Sequence, residues 1–192
     1  MRMAESLPEG YGEIFSVNLQ KNKKVMLLVN TIALIIAVLM AVPMHFAVPI
    51  STLFSMEDGI VTYMLRFVAL IVFSILYIIL HELVHGVAMK ICGTKKVKYG
   101  FTGLYAFAGS TDLYGKCAYI FIALAPVVFW GIVLAIVNFL VPVEWFWVIY
   151  FIQISNVSGA AGDLYVTAKF SKMPKDILIS DNGVSMKVFS KI

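Results

Sequence analysis

Charge is scarce in this chain. Asp, Glu, Lys and Arg make up 14% of its 192 residues, against about 25% in an ordinary soluble domain, which excludes a free-standing domain with a conventional wetted surface. Cysteine is scarcer still. Cys92 and Cys117 stand outside any C-x-x-C, which excludes a disulfide framework and a thiolate metal cluster and leaves two reduced thiols at helix ends. There is no internal repeat and no low-complexity segment, so solenoids and flexible linkers are excluded as well. The formal net charge of +4 is spread along the chain in short groups. It reads as a set of flanks to apolar segments, and nucleic acid is not expected as a partner.

What is abundant is hydrocarbon. Hydrophobic residues make up 61% of the chain. A bilayer core about 30 Å thick asks for about 20 apolar residues per helix. Four stretches meet that requirement, at residues 25–49, 60–91, 118–141 and 145–170. The first follows Lys21, Lys23 and Lys24 as a secretory signal would, but its apolar run is longer than the roughly 7–15 residues of a signal core, so it is expected to be a retained anchor. Fourteen of the fifteen Lys and Arg residues fall on one side of such a four-span layout; Arg66 alone falls toward the other, with Glu57, Asp58 and Glu144. Both termini are therefore expected in the cytoplasm. The connection between the second and third spans, CGTKKVKYGFTGLYAFAGSTDLYGK, is expected to be either a short β-hairpin or a plain polar loop.

Into the second span the sequence places HELVH, His81 to His85. Successive residues of an α-helix turn by about 100°, so His81 and His85 point within roughly 40° of each other, one turn apart, and both can bind one metal. Glu82 projects from the adjoining flank. This is the H-E-x-x-H arrangement, in which zinc lowers the pKa of its water and the glutamate serves as general base. By chance alone, the expectation of this pattern in a chain of this composition is on the order of one in a thousand. His81 also lies about 14 Å along the helix from Lys90, too deep for a short imidazole to reach the headgroups.

A catalytic zinc takes about three protein ligands and keeps one position open. Asp163 is the leading candidate for the third: it precedes Lys169 by about 9 Å if helical, which brings it to the depth of the histidines from the same face. Asp112 in the interior connection, or a water, is the alternative. Glu144 and His45 lie toward the opposite face and read as interfacial residues.

HELVH on one span, LAP (residues 124–126) on the next, and Asn156 and Asp163 on the last resemble the core of the site-2 protease group of intramembrane zinc metalloproteases. In size and in the form HELVHG, the chain is most similar to the small bacterial membrane proteins of the zincin peptidase type. The resemblance covers about residues 70–170. It implies His81, His85 and Asp163 as metal ligands, Glu82 as the catalytic acid and base, and cleavage of a transmembrane or membrane-adjacent polypeptide. The family's Asn-x-x-Pro stretch leading to Leu-Asp-Gly is here NVSGAAGDL, with no proline and with Gly162 before the aspartate.

The expected fold is thus an all-α membrane protein: a four-helix transmembrane bundle over residues 25–170 with a possible hairpin, an N-terminal segment at 1–24 and a C-terminal tail at 171–192. The expected activity is that of a zinc-dependent intramembrane endopeptidase in the bacterial plasma membrane, its partners a peptide substrate and the lipid bilayer. The rival is a non-catalytic membrane protein that binds or passes a divalent metal, or a protein-binding pseudo-protease. Asn156 is either an oxyanion donor or a helix–helix hydrogen bond. Pro126 is expected to be a simple kink, and Gly86 to allow close approach of another helix or strand.

Overall fold

The computed structural model describes residues 3–4, 6–18, 21–103 and 105–192; Arg2, one of the basic flanking residues, and Leu104, in the interior connection, lie outside them. Along the chain run β1 (Met3–Ala4), β2 (Tyr11–Asn18), α1 (Lys23–Ala47), α2 (Gly59–Ile91), β3 (Lys98–Phe101), β4 (Ala106–Gly115), α3 (Lys116–Leu140), α4 (Phe146–Gly159), α5 (Ala161–Ser171), β5 (Leu178–Asp181) and β6 (Ser185–Lys191). The expectation of an all-α fold needs correction, since six strands form one antiparallel sheet. The expectation of four spans does too. Among the described residues three helices, α1, α2 and α3, are long and apolar enough to cross a membrane. The fourth stretch is broken at Ala160, whose N–H turns back to the Ser158 carbonyl. Gly159 and Gly162 flank the break, where the absence of side chains weakens a continuous helix. The resulting pieces of 14 and 11 residues are about 21 Å and 16 Å long.

The chain divides into two compact units: one of residues 1–29, 81–126 and 162–192, the other of residues 30–80 and 127–161. In the first unit, β4 is the hub of the sheet. It pairs with β1 and β5 through its second half and with β3 through its first, while β6 joins β5 to β2. The segments expected as terminal tails thus supply β1, β2, β5 and β6. β5 and β6 are a hairpin closed by Asp181-Asn182-Gly183, where Gly183 takes φ +87° and the Asn182 side chain accepts from the Val184 and Ser185 N–H groups. A cross-strand row of the sheet, Tyr114, Ile179 and Val188, packs with Ala88 and Met89 of α2, Ala118 and Ile122 of α3, and Val166 and Phe170 of α5. α2 ends at Gly93, whose φ of +107° lets the Thr94 N–H reach back to the Met89 carbonyl at 3.1 Å, a glycine C-cap. Lys116, opening α3, sends its ammonium to the carbonyls of Ser171 and Met173 at 2.5 and 2.7 Å and so caps the C-terminus of α5.

The second unit is helical. Trp147 and Val148 of α4 are fully buried against residues of α1, α2 and the turn after α1. Polar side chains tie its helices together: Trp147 Nε1 donates to the Val48 carbonyl at 3.0 Å, Tyr150 to Met40 at 3.2 Å, and Gln153 Nε2 to Gly131 at 3.2 Å. Arg66 is fully buried and donates to the Ser55 carbonyl at 2.7 Å and the Asp58 carboxylate at 2.6 Å, holding the turn between α1 and α2. Many large apolar side chains of the long helices point outward, among them Phe46 at 82% exposed and Phe139 at 89%. Water would oppose that arrangement, and hydrocarbon would not.

Candidate metal centre

The last third of α2 carries HELVH, and the first turn of α5 carries Asp163. One helical turn brings the two imidazoles together, with ring centroids 5.0 Å apart. The break at Ala160 starts a new helix that presents Asp163 to both. Asp163 Oδ2 lies 3.8 Å from His81 Nε2 and 3.7 Å from His85 Nε2. These three residues are the one cluster of metal-ligating type found among the described residues, with ligand atoms all within 4.8 Å of one another. A tetrahedral ion with bonds of about 2.0–2.1 Å separates its ligands by about 3.4 Å. The two imidazole–carboxylate separations exceed that by only a few tenths of an ångström, and the whole set, within 4.8 Å, would close further around such an ion. Two imidazole nitrogens and one carboxylate oxygen are also the donor chemistry that suits zinc.

The surroundings orient the donors. His85 Nδ1 is 2.9 Å from the carbonyl of Ile122 in α3. A carbonyl accepts only, so Nδ1 carries the proton and Nε2 keeps its lone pair toward Asp163. The backbone of Ala108 in β4 lies beside the Glu82 carboxylate. The side chain of Tyr99 in β3 lies across Gly86, where a Cβ would fall 1.8 Å from the tyrosine oxygen. The close approach expected at Gly86 is therefore made by a strand, and the β3–β4 hairpin covers the Glu82 and Gly86 face of α2.

The other candidates lie elsewhere. Asp112 sits at an irregularity of β4, its N–H directed to Ser110 Oγ at 3.2 Å, and it does not join the cluster. His45 Nδ1 accepts from the Ile50 N–H at 3.1 Å at the end of α1, and Glu144 sits in a short turn before α4. Asn156 is fully buried in the helical unit. Its Oδ1 accepts from Tyr77 at 2.9 Å and its Nδ2 donates to the Val127 carbonyl at 3.1 Å. Neither cysteine is part of a disulfide, Cys92 being buried and Cys117 exposed.

One buried group had no sequence reading. Asp181, closing β5, accepts from Tyr119 of α3 at 2.6 Å and from the Gly183 N–H at 2.8 Å. Burial pushes its carboxyl above the usual range; these two hydrogen bonds act against that, while Asp163 adds to it and His85 opposes it. The signal available for it was the Asp-Asn-Gly turn, which forecasts a hairpin at this place.

Among curated proteins, an "Uncharacterized 24.7 kDa protein in gap 5'region" of Pyrococcus woesei is 35% identical over 121 residues, 59% of this chain and 51% of the relative. The match spans about half the length of that relative. No solved structure matches the chain. Residues 74–178, more than half of the chain and including α2 from Ser74 onward, all of α3 and α5, match a family described as "Putative zincin peptidase". The chain belongs to that family, of zincin-type metallopeptidases whose cofactor is zinc.

Proposed function

We propose that this protein is an intramembrane zinc endopeptidase of the site-2 protease type, which hydrolyses a peptide bond in or near a transmembrane segment. The observation that carries this reading is the convergence of His81, His85 and Asp163, from two helices, on a point beside Glu82. The outward apolar faces of α1, α2 and α3 support placement in a bilayer. The distribution of Lys and Arg favours cytoplasmic termini, and the resemblance favours a bacterial plasma membrane.

His81 Nε2, His85 Nε2 and Asp163 Oδ2 would hold the ion. When bound, zinc supplies a Lewis acid for the scissile carbonyl and lowers the pKa of water. Glu82 takes a proton from the attacking water as its oxygen bonds to the carbonyl carbon, then hands that proton to the departing amide nitrogen as the C–N bond breaks. A helical substrate hides its carbonyls in backbone hydrogen bonds, so the target must be extended first. β3 pairs with β4 on one side only among the described residues, and its other edge is offered to an extended chain. Asn156, with its oxygen and one N–H already engaged by neighbouring helices, acts as a tie between helices.

The test has two parts. Metal analysis of detergent-purified protein should find about one zinc per chain, reduced in His85→Ala and kept in Glu82→Gln. Membrane proteomes of wild-type and Glu82→Gln strains should differ by an uncut membrane protein that accumulates only in the variant. Zinc retained with no accumulating protein would favour a metal-binding or protein-binding role without catalysis.

A further inference from the structure

Within an α-helix each N–H donates to the carbonyl four residues earlier. Position 126 of α3 is proline, which has no N–H, and its ring crowds the carbonyl at position 122 and tilts it off the helix axis. The carbonyl deprived of its partner in this way is that of Ile122, a residue only 2% exposed. This is the carbonyl that stands 2.9 Å from His85 Nδ1. A vacancy in one helix thus coincides with a ring nitrogen of another, and both groups are buried where an unmade hydrogen bond is costly.

We propose that Pro126 is a positioning residue for His85: by withholding an N–H it reserves the Ile122 carbonyl for His85 Nδ1–H, which fixes the ring's tautomer and turns Nε2 toward the ion. The inference rests on His85 being a zinc ligand. It gives the proline a role beyond the kink expected of it. An ordinary residue at position 126 would supply a donor that competes for the same carbonyl, and the His85 ring would gain freedom to rotate and to shift its proton to Nε2, the atom needed for the metal.

The experiment uses the full chain in detergent, with zinc alone as the probe. Zinc affinity is measured by competition with a chromophoric chelator, and the tautomer of His85 in metal-free protein by nitrogen-15 NMR of labelled histidine. Pro126→Ala should weaken zinc binding by about tenfold and move His85 from the Nδ1–H form toward the Nε2–H form. The α-hydroxy analogue of alanine at position 126, incorporated by nonsense suppression, puts an ester oxygen where the N–H would be. It lacks both the donor and the ring, and it should keep wild-type affinity and tautomer. Wild-type binding and tautomer in Pro126→Ala would overturn the proposal, as would an equal loss in the alanine and ester variants, which would assign the effect to the ring. If instead His85→Ala binds zinc as wild type does, the zinc reading fails, and the tautomers still decide whether Pro126 reserves the carbonyl.

Discussion

Tyr119 of α3 donates its hydroxyl to Asp181 of β5 at 2.6 Å, and the two side chains are almost fully enclosed, at 3% and 8% exposed. This bond joins the β5–β6 hairpin to the helix that also carries the Ile122 carbonyl. It places a second carboxylate near enough to Asp163 and His85 for each to shift its ionisation.

A pH dependence of stability follows. Burial, the largest influence, raises the Asp181 carboxyl above its ordinary value of 3.8, so between that value and the folded one the native state binds more protons than the unfolded state. Its contribution is therefore fully present below about pH 3.8 and is lost as pH rises through the folded value. Asp181→Asn removes that slope. Relative to wild type, the variant should gain stability as pH rises above about 4, measured as the difference in Tm across pH; a difference independent of pH would show that folding does not raise the Asp181 carboxyl.

Gly86→Ala places a methyl group against the Tyr99 hydroxyl. Tyr99 is about half exposed and can swing away, so the cost should be about 1 kcal/mol rather than that of a rigid overpacked core. The loss should shrink to within about 0.5 kcal/mol in a Tyr99→Ala background, which removes the obstacle. An equal cost in both backgrounds would mean that the glycine serves α2 itself.

Tyr77→Phe leaves Asn156 Oδ1 without its donor inside the helical unit, at a cost of about 1–3 kcal/mol in stability. A double-mutant cycle with Asn156→Ala should give a coupling of about 1 kcal/mol. Peptidase turnover per folded molecule should stay within a fewfold of wild type. A loss of about 100-fold or more in kcat for Asn156→Ala, with the fold intact, would point to an oxyanion donor instead.

Removing the ion should be visible without any substrate. With free zinc at about 100 times its Kd, binding adds about 2.7 kcal/mol to stability. For a chain of this size that corresponds to roughly 5–10 °C in Tm, which a chelator should abolish in wild type and barely alter in His81→Ala. An unchanged wild-type Tm would count against a tightly held metal.

How much of this could be read from the sequence varies with the range of each interaction. HELVH was legible because its geometry is local: four residues of helix set where His81 and His85 point. The depth of Asp163 can be estimated from its distance to Lys169, and the polar interruption SNVSGAAGD at residues 155–163 marks a weak point in the span, but where the helix breaks and how the new one aims Asp163 depend on tertiary packing. The sheet was missed for a different reason. β2 and β6 pair across most of the chain's length, with Tyr11 opposite Lys191, and neither segment has an apolar run to announce it. The Asp181-Asn182-Gly183 turn is a local hairpin signal, but it lies in a short polar segment whose strands are stabilised by distant partners. The partnership of Pro126, Ile122 and His85 joins two helices across the β3–β4 connection, and neither helix shows it alone.

The division of the fourth apolar stretch into α4 and α5 bears on biogenesis. Asn156 lies inside that stretch, and its two partners are Tyr77 of α2 and Val127 of α3, both synthesised before it. Entering hydrocarbon by itself, the segment would expose an unsatisfied amide; entering after its elders, it finds a donor and an acceptor waiting. Were the chain to insert into a bilayer as proposed, these polar contacts would draw α4 in only after α2 and α3 had lodged there.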